Sequence, residues 1–208
     1  MNDFDRKAHW EKIYTTKELN EVSWYQPKPL TSLNYIESLN LKKDANIIDV
    51  GGGDSFLVDE LLNLGYNNLT VLDISSAAIE RAKKRVGEKS NQVKWIVTDV
   101  SNFNATEKYD CWHDRAAFHF LTSTPDINNY INTVSSAIKA NGYLVVGTFS
   151  EEGPTKCSGI EIKQYSSENL AKTFSASFKK ISCESLNHTT PFNTVQSFCF
   201  CKFQKKNS

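Results

Sequence analysis

The sequence carries no surplus of charge of either sign. Lys and Arg together number 24, Asp and Glu also 24, so the net charge is zero. A surface that tracks phosphates needs a basic patch or stripe. No stretch of the chain supplies one, and nucleic acid is not an expected partner. Long apolar runs are missing as well. Nothing approaches the ~20 residues of a membrane-spanning helix, so no membrane is expected. The opening MNDFDRKAHWEK lacks the apolar segment of a secretory signal. Cys111, Cys157, Cys183, Cys199 and Cys201 form no CxxC pair. That argues against zinc, and no metal site is expected. Reduced thiols in a cytoplasmic protein are the simplest account. Internal repeats and low-complexity linkers are absent too. The 208 residues therefore read as one domain, 1–208, with a single sizeable core.

What is present is an alternation of β-rich runs and helical patterns. NIIDV at 46–50 reads as a buried strand, and FLVDELLNLG at 56–65 as a helix closed by Gly65. NLTVLDI is a second strand ending near Asp73. SSAAIERAKKRVG is a helix with a serine cap and a stop at Gly87. VKWIVTDV and YDCWHDRA hold the third and fourth strands. DINNYINTVSSAIKANG reads as a helix with Gly142 after its end, and YLVVGTF as the fifth strand. After a loop at 150–164 and a helix near 166–174, the stretch 178–203 reads as two strands joined by a turn at Pro191 and Asn193. Strands separated by helices imply parallel pairing, right-handed crossovers and a sheet covered on both faces. The expected class is α/β: a seven-stranded, mostly parallel sheet with an antiparallel C-terminal strand and helices on both faces. Residues 1–40 form a helical cap.

In such sheets ligands bind beyond the carboxyl ends of the strands. Gly51, Gly52 and Gly53 follow the first strand, Asp73 ends the second and Asp99 ends the third. Glycine, acid and acid thus lie along one rim. The glycines admit a ligand to backbone amides, Asp73 is placed for a ribose diol, and Asp99 lies where a nucleobase would follow. A dinucleotide fold offers a similar opening, but its GxGxxG fingerprint requires a third glycine where this chain has Phe56. Asp54 also sets a negative charge where a pyrophosphate needs amides or cations. Both features argue against NAD and suit a ligand that is cationic or free of phosphate.

IIDVGGGDS, VLDI, VTDV, YDCWHDRAAFHFLT and AIKANGYLVVGTF together resemble the successive motifs of class I S-adenosyl-L-methionine-dependent methyltransferases, over roughly residues 40–205. One departure is Ser55, where many members have a third motif glycine. HWEKIYTTKELNEVSWYQPKP with DRAAFHFLT is similar to a bacterial branch of small methyltransferase-domain proteins. That branch is related to eukaryotic lysine methyltransferases and more distantly to thiopurine-type enzymes. The resemblance implies a Rossmann-like fold, S-adenosylmethionine as cofactor, and methyl transfer to a small-molecule or protein side-chain acceptor. It does not identify that acceptor, and the oligomeric state stays open.

The residues implied for the cofactor are Asp49, Gly51, Gly52, Gly53, Asp73, Ile74, Asp99, Val100 and Asp114, with Trp24 and Tyr25 of the SWYQ segment lining the donor or acceptor pocket. His119, Asp114 and Arg115 are implied near the reacting end, His119 as a general base. Each has a plainer reading. The glycines suit a structural turn, Asp73 suits a helix cap, and Asp99 suits a turn cap. Arg115 suits an internal pair with Asp114, His119 a structural histidine, and His113 simple packing. Cys199 and Cys201 share one strand face and read as core. A non-catalytic S-adenosylmethionine-binding or partner-binding domain is the alternative to an enzyme. The N-terminal segment and the loop EEGPTKCSGIEIKQY are the candidate lids.

Overall fold

A computed structural model describes residues 4–207. Helix α1 (Arg6–Thr16) and a short 3-10 turn at Leu19–Glu21 lead into α2 (Leu30–Glu37). Then come β1 (Asn46–Val50), α3 (Leu57–Asn63), β2 (Asn68–Asp73), α4 (Ser76–Val86), β3 (Val93–Val97) and β4 (Tyr109–Arg115). They are followed by α5 (Thr124–Ala137), β5 (Ile138–Phe149), the short pair β6 (Lys156–Cys157) and β7 (Ile160–Glu161), α6 (Ser167–Phe174), β8 (Phe178–Thr189) and β9 (Val195–Lys205). The main sheet has seven strands in the order β3-β2-β1-β4-β5-β9-β8. All neighbours from β3 to β5 pair in parallel, and β9 runs antiparallel to both β5 and β8. This is the expected α/β class.

Strand alternation sends successive side chains to opposite faces. Ile47 and Val145 therefore pack with Leu33, Ile36 and Leu61 on one face. Ile48, Leu144 and Val146 pack with Tyr130, Val134 and Phe174 on the other. The serine cap expected before α4 is Ser75, and Ser123 and Ser166 likewise each accept an amide hydrogen from the first turn they precede. Helix α5 ends one turn earlier than its pattern predicts. Ile138 takes extended backbone at φ −80°, ψ 133°, and pairs with Tyr109.

Three further expectations change. The cap predicted over residues 1–40 divides, because α2 buries Ser32, Leu33, Tyr35 and Ile36 and belongs to the core. The chain before α2 is more peripheral, although Val22 within it is buried. The loop at 150–164 contains the β6–β7 hairpin and is anchored at its end, where the Lys163 amide donates to the His119 carbonyl at 2.8 Å. The five cysteines are not all thiols. Cys183 and Cys201 face each other directly across β8 and β9 and are joined as a disulfide, whereas Cys111, Cys157 and Cys199 are free and buried. Sequence spacing could not show that register.

Candidate functional site

The carboxyl ends of β1, β2, β3 and β4 open into a cleft roofed by Arg6, Trp10 and Tyr14 of α1. Asp49, Gly51, Gly52, Asp73, Ile74, Asp99, Val100, Arg115 and Trp24 all line it. Gly53 does not, and Tyr25 lines a smaller adjoining cavity instead.

The glycines answer to their protein neighbours as much as to any ligand. Gly51 has φ +65° and Gly53 φ +47°. A Cβ on Gly51 would lie 2.5 Å from Ala117 Cβ, and one on Gly53 would lie 2.8 Å from the Tyr14 hydroxyl. The turn thus brings the loop after β4 and helix α1 against the first strand end. Arg85 fixes the following residues by donating to the carbonyls of Asp54 (2.6 Å) and Ser55 (2.7 Å), while its guanidinium lies 4.3 Å from the Phe56 ring. The Asp54 carboxylate is paired with Arg81 at 3.2 Å, so the negative charge expected there is compensated within the protein.

Asp73 is 5% exposed and accepts the Ser75 amide hydrogen at 2.8 Å. Burial pushes its carboxyl up to about 7, with the Asp54 and Asp49 carboxylates adding to the rise and the Ser75 amide opposing it. Capping of α4 itself falls to Ser75, so Asp73 faces the cleft with only local backbone support. Asp99 acts as a turn cap and as half of an ion pair. Its Oδ1 caps the following turn through the Ser101 amide and hydroxyl, and its Oδ2 pairs with Arg6 at 3.1 Å.

Asp114 and His119 are not where the expectation put them. Asp114 is fully buried and outside the cleft lining. Its Oδ1 accepts the amides of Ala117 and Phe118, and its Oδ2 accepts the Tyr130 hydroxyl at 2.7 Å. It is a bracket that holds the loop after β4. Burial keeps its carboxyl up at about 6 despite those donors. His119 lies behind the cleft between Phe120 and Phe149, with ring centroids 4.6 and 4.7 Å away. Its Nδ1 accepts the Phe149 amide hydrogen at 3.2 Å. Burial, then the nearby Arg115 charge, push the imidazole down to about 3. A group that basic only below neutral pH and sealed from the cleft does not fit a general base. The plainer reading of His119 describes its surroundings better.

His113, read as packing, instead joins a polar chain on the cleft wall. Its Nδ1 meets Asp49 Oδ1 at 2.7 Å and its Nε2 meets Ser32 Oγ at 2.9 Å. The chain ties α2, β1 and β4 together beneath the glycine turn. Sequence reasoning also missed a stripe on α1. Arg6, Trp10 and Tyr14 recur every four residues and all line the cleft. Trp10 lies 5.0 Å from Phe120 and 5.6 Å from Trp24 between ring centroids. The spacing was the available signal, but the stripe faces a cavity and not a core, and α1 buries no residue. Arg115 does not pair with Asp114. Its Nη1 donates to the Trp24 carbonyl at 3.1 Å, which pins the SWYQ segment to the end of β4. No grouping of metal-binding side chains occurs among the described residues.

A methyltransferase-domain family model matches residues 41–206. The chain belongs to the methyltransferase-domain family. This methyltransferase domain is 32% identical over 112 residues to malonyl-acyl-carrier-protein O-methyltransferase 1 of Ilyobacter polytropus, covering 53% of this chain and 40% of that protein. It is 21% identical over 188 residues to human EEF1A lysine methyltransferase 2, covering 83% of this chain and 74% of the relative. Among solved structures, the N-methyltransferase NodS from Bradyrhizobium japonicum, in complex with S-adenosylhomocysteine, superposes with a TM-score of 0.73 at 14% identity, over 98% of this chain and 100% of that one. That likeness is one of fold. No described helix of this methyltransferase domain is long and apolar enough to cross a membrane.

Proposed function

We propose that this chain is an S-adenosylmethionine-dependent methyltransferase acting on a small-molecule or protein side-chain acceptor. The single observation that carries the reading is the order of groups along the rim: Asp99, Asp73, the glycine turn and Arg115, on adjacent strands β3, β2, β1 and β4. The relatives support it, since their names describe transfer to an acyl-carrier-bound acid and to a protein lysine.

The cofactor supplies a methyl group already activated on a sulfonium, so the protein's task is alignment and exclusion of water. Asp73 is placed to accept hydrogen bonds from a ribose diol, with Ile74 and Val100 as the apolar walls on either side of Asp99. Trp10, Trp24 and Phe120 give aromatic faces toward the reacting end, which favour a cation. Helix α1 closes the cleft from above. A proton released by an amine or hydroxyl acceptor has no route through His119. We place the protein in the cytoplasm as a single domain over 1–208; the three free thiols favour that setting, and the Cys183–Cys201 disulfide weighs against it.

Calorimetry with S-adenosylmethionine, S-adenosylhomocysteine and NAD tests the reading. Both adenosyl ligands should bind and NAD should not. Binding of NAD with no response to either adenosyl ligand would overturn it.

A further inference from the structure

The Arg115 guanidinium is a charge without an anion. No carboxylate of the described residues lies within ion-pair distance of it. Nη1 has the Trp24 carbonyl, but Nη2 is buried with no hydrogen-bond partner. The carboxylate that acts on it most strongly, Asp49, is engaged by His113. The other side of the guanidinium rests toward the Phe198 ring, 5.6 Å away. Burial pulls the Arg115 pKa down to about 10, so the group remains charged at neutral pH. An unpaired buried charge is costly, and a partner is ordinarily supplied.

Arg115 sits where the main cleft meets the smaller cavity, and it lines both. The smaller cavity holds a second orphan, Gln26 Oε1, also buried without a partner. A guanidinium donor and an amide acceptor thus share one small space. The donor ligand's position follows from the rim. Adenine, ribose and methionine would span β3, β2 and β1, and β4 lies one strand further on. Neighbouring strands are about 4.8 Å apart, so Arg115 lies past the donor's end, on the acceptor's side. Aromatic rings of Trp10, Trp24 and Phe120 wall the space between.

We infer that the methyl acceptor is a planar carboxylic acid, its carboxylate held by Arg115 and an adjacent N–H or O–H donated to Gln26. The inference rests on the methyltransferase reading and narrows it from any small molecule or side chain to an organic anion. A guanidinium matches a carboxylate with two parallel hydrogen bonds. The Nη2 hydrogens are available for this and Nη1 can share.

The test uses full-length protein saturated with S-adenosylhomocysteine and a matched pair of probes, anthranilate and 2-aminobenzamide. The two share a flat ring and an amine and differ in charge. The loaded protein should bind anthranilate at least tenfold more tightly by calorimetry. Arg115→Met should abolish that preference, and Arg115→Lys, which keeps the positive charge, should restore part of it. Equal binding of the two probes by the wild type, or no binding of either, overturns the inference without any variant being needed. A wild-type preference for S-adenosylhomocysteine over 5′-methylthioadenosine, which lacks the amino-acid carboxylate, that disappears in Arg115→Met also overturns it, because the guanidinium would then hold the donor's own carboxylate. Wild-type protein that ignores S-adenosylhomocysteine overturns the methyltransferase reading itself, a result distinct from these.

Discussion

Glu11 of helix α1 caps helix α4. Its Oε1 lies 2.6 Å from the Ser76 hydroxyl, its Oε2 lies 2.7 Å from the Ser75 hydroxyl, and the Ala77 amide donates to Oε1 at 3.1 Å. Arg6 on the same helix reaches Asp99 at 3.1 Å and Asp126 at 3.3 Å. Arg81 of α4 returns the favour by donating to the Tyr14 and Lys17 carbonyls. The roof of the cleft is therefore strapped down by polar contacts at both ends, and it offers its aromatic residues inward.

Glu11→Ala should loosen that roof. Losing a helix cap costs about 1 kcal/mol, which for a chain of this length shifts Tm by roughly 2–4 °C. The larger effect is local: amide exchange across residues 6–16 should quicken, and S-adenosylhomocysteine should bind several-fold more weakly. Burial works to raise the Glu11 pKa, yet the Ser76 and Ser75 hydroxyls outweigh it and hold the carboxyl below its ordinary value. The stabilisation is therefore present at neutral pH and lost as acid protonates the group. Unchanged exchange in α1 of the variant would show that aromatic packing alone holds the helix.

Gly51→Ala should be far more damaging than Gly65→Ala. Both glycines have positive φ, at +65° and +86°, and a left-handed alanine costs about 1–2 kcal/mol. At Gly65 nothing lies within 4 Å of the added methyl, whereas at Gly51 it would meet Ala117 Cβ at 2.5 Å. Urea denaturation should show a loss of about 1 kcal/mol for Gly65→Ala and at least twice that for Gly51→Ala. Similar losses at both positions would mean that the loop after β4 yields freely.

The sheet was legible because its strands and the helix capped by Ser75 are encoded locally, in apolar runs and their stop signals, whereas the Ser123 and Ser166 caps emerged only in the structure. The rim followed from the fold, since strand ends must converge. What was not legible depended on side-chain direction and long-range register. His113 and His119 lie six residues apart, and only the three-dimensional path of the loop after β4 turns one to the cleft wall and the other behind it. Arg6, Trp10 and Tyr14 show a helical repeat, but periodicity reports that a face is shared and not what the face meets. Cys183 and Cys201 pair because β8 and β9 are in a particular register, which their separation of 18 residues does not reveal.

Thiol titration separates the cysteines into two classes. In denaturant without reductant, oxidised protein should release three reactive thiols, from Cys111, Cys157 and Cys199. Five should appear after reduction, matching the cysteines of the sequence. The crosslink joins the edge strand β8 to its neighbour, so reduction should raise amide exchange in 178–189 and leave β1 to β4 unchanged. Closing a loop of this length is worth about 3 kcal/mol in the chain-entropy account. Five thiols before reduction would return the protein to the fully reduced state that a cytoplasmic setting favours.

Asp73→Asn should weaken the cofactor and strengthen the fold. Asparagine keeps an oxygen for the Ser75 amide, which donates to Asp73 Oδ1 at 2.8 Å. It removes a carboxyl that burial, chiefly, has pushed up to about 7. Because the folded value lies above that of the unfolded chain, ionisation of Asp73 opposes folding. Its favourable contribution is complete below the ordinary carboxylate range and is lost as pH rises through about 7. The variant does not titrate there, so its stability advantage should grow from pH 4 to pH 7 and then level, reaching at most about 4 kcal/mol. Binding moves the other way. A ribose diol donates to the ionised carboxylate, so wild-type affinity for S-adenosylhomocysteine should fall as pH drops through about 7. The variant should lose roughly 1.5–3 kcal/mol of binding at pH 8 and show little pH response. Thermal unfolding and calorimetry at pH 5 and pH 8 measure both arms. A variant that binds as tightly as wild type at pH 8 would reduce Asp73 to a turn residue. A stability gap that does not change with pH would show that ionisation of Asp73 does not oppose folding.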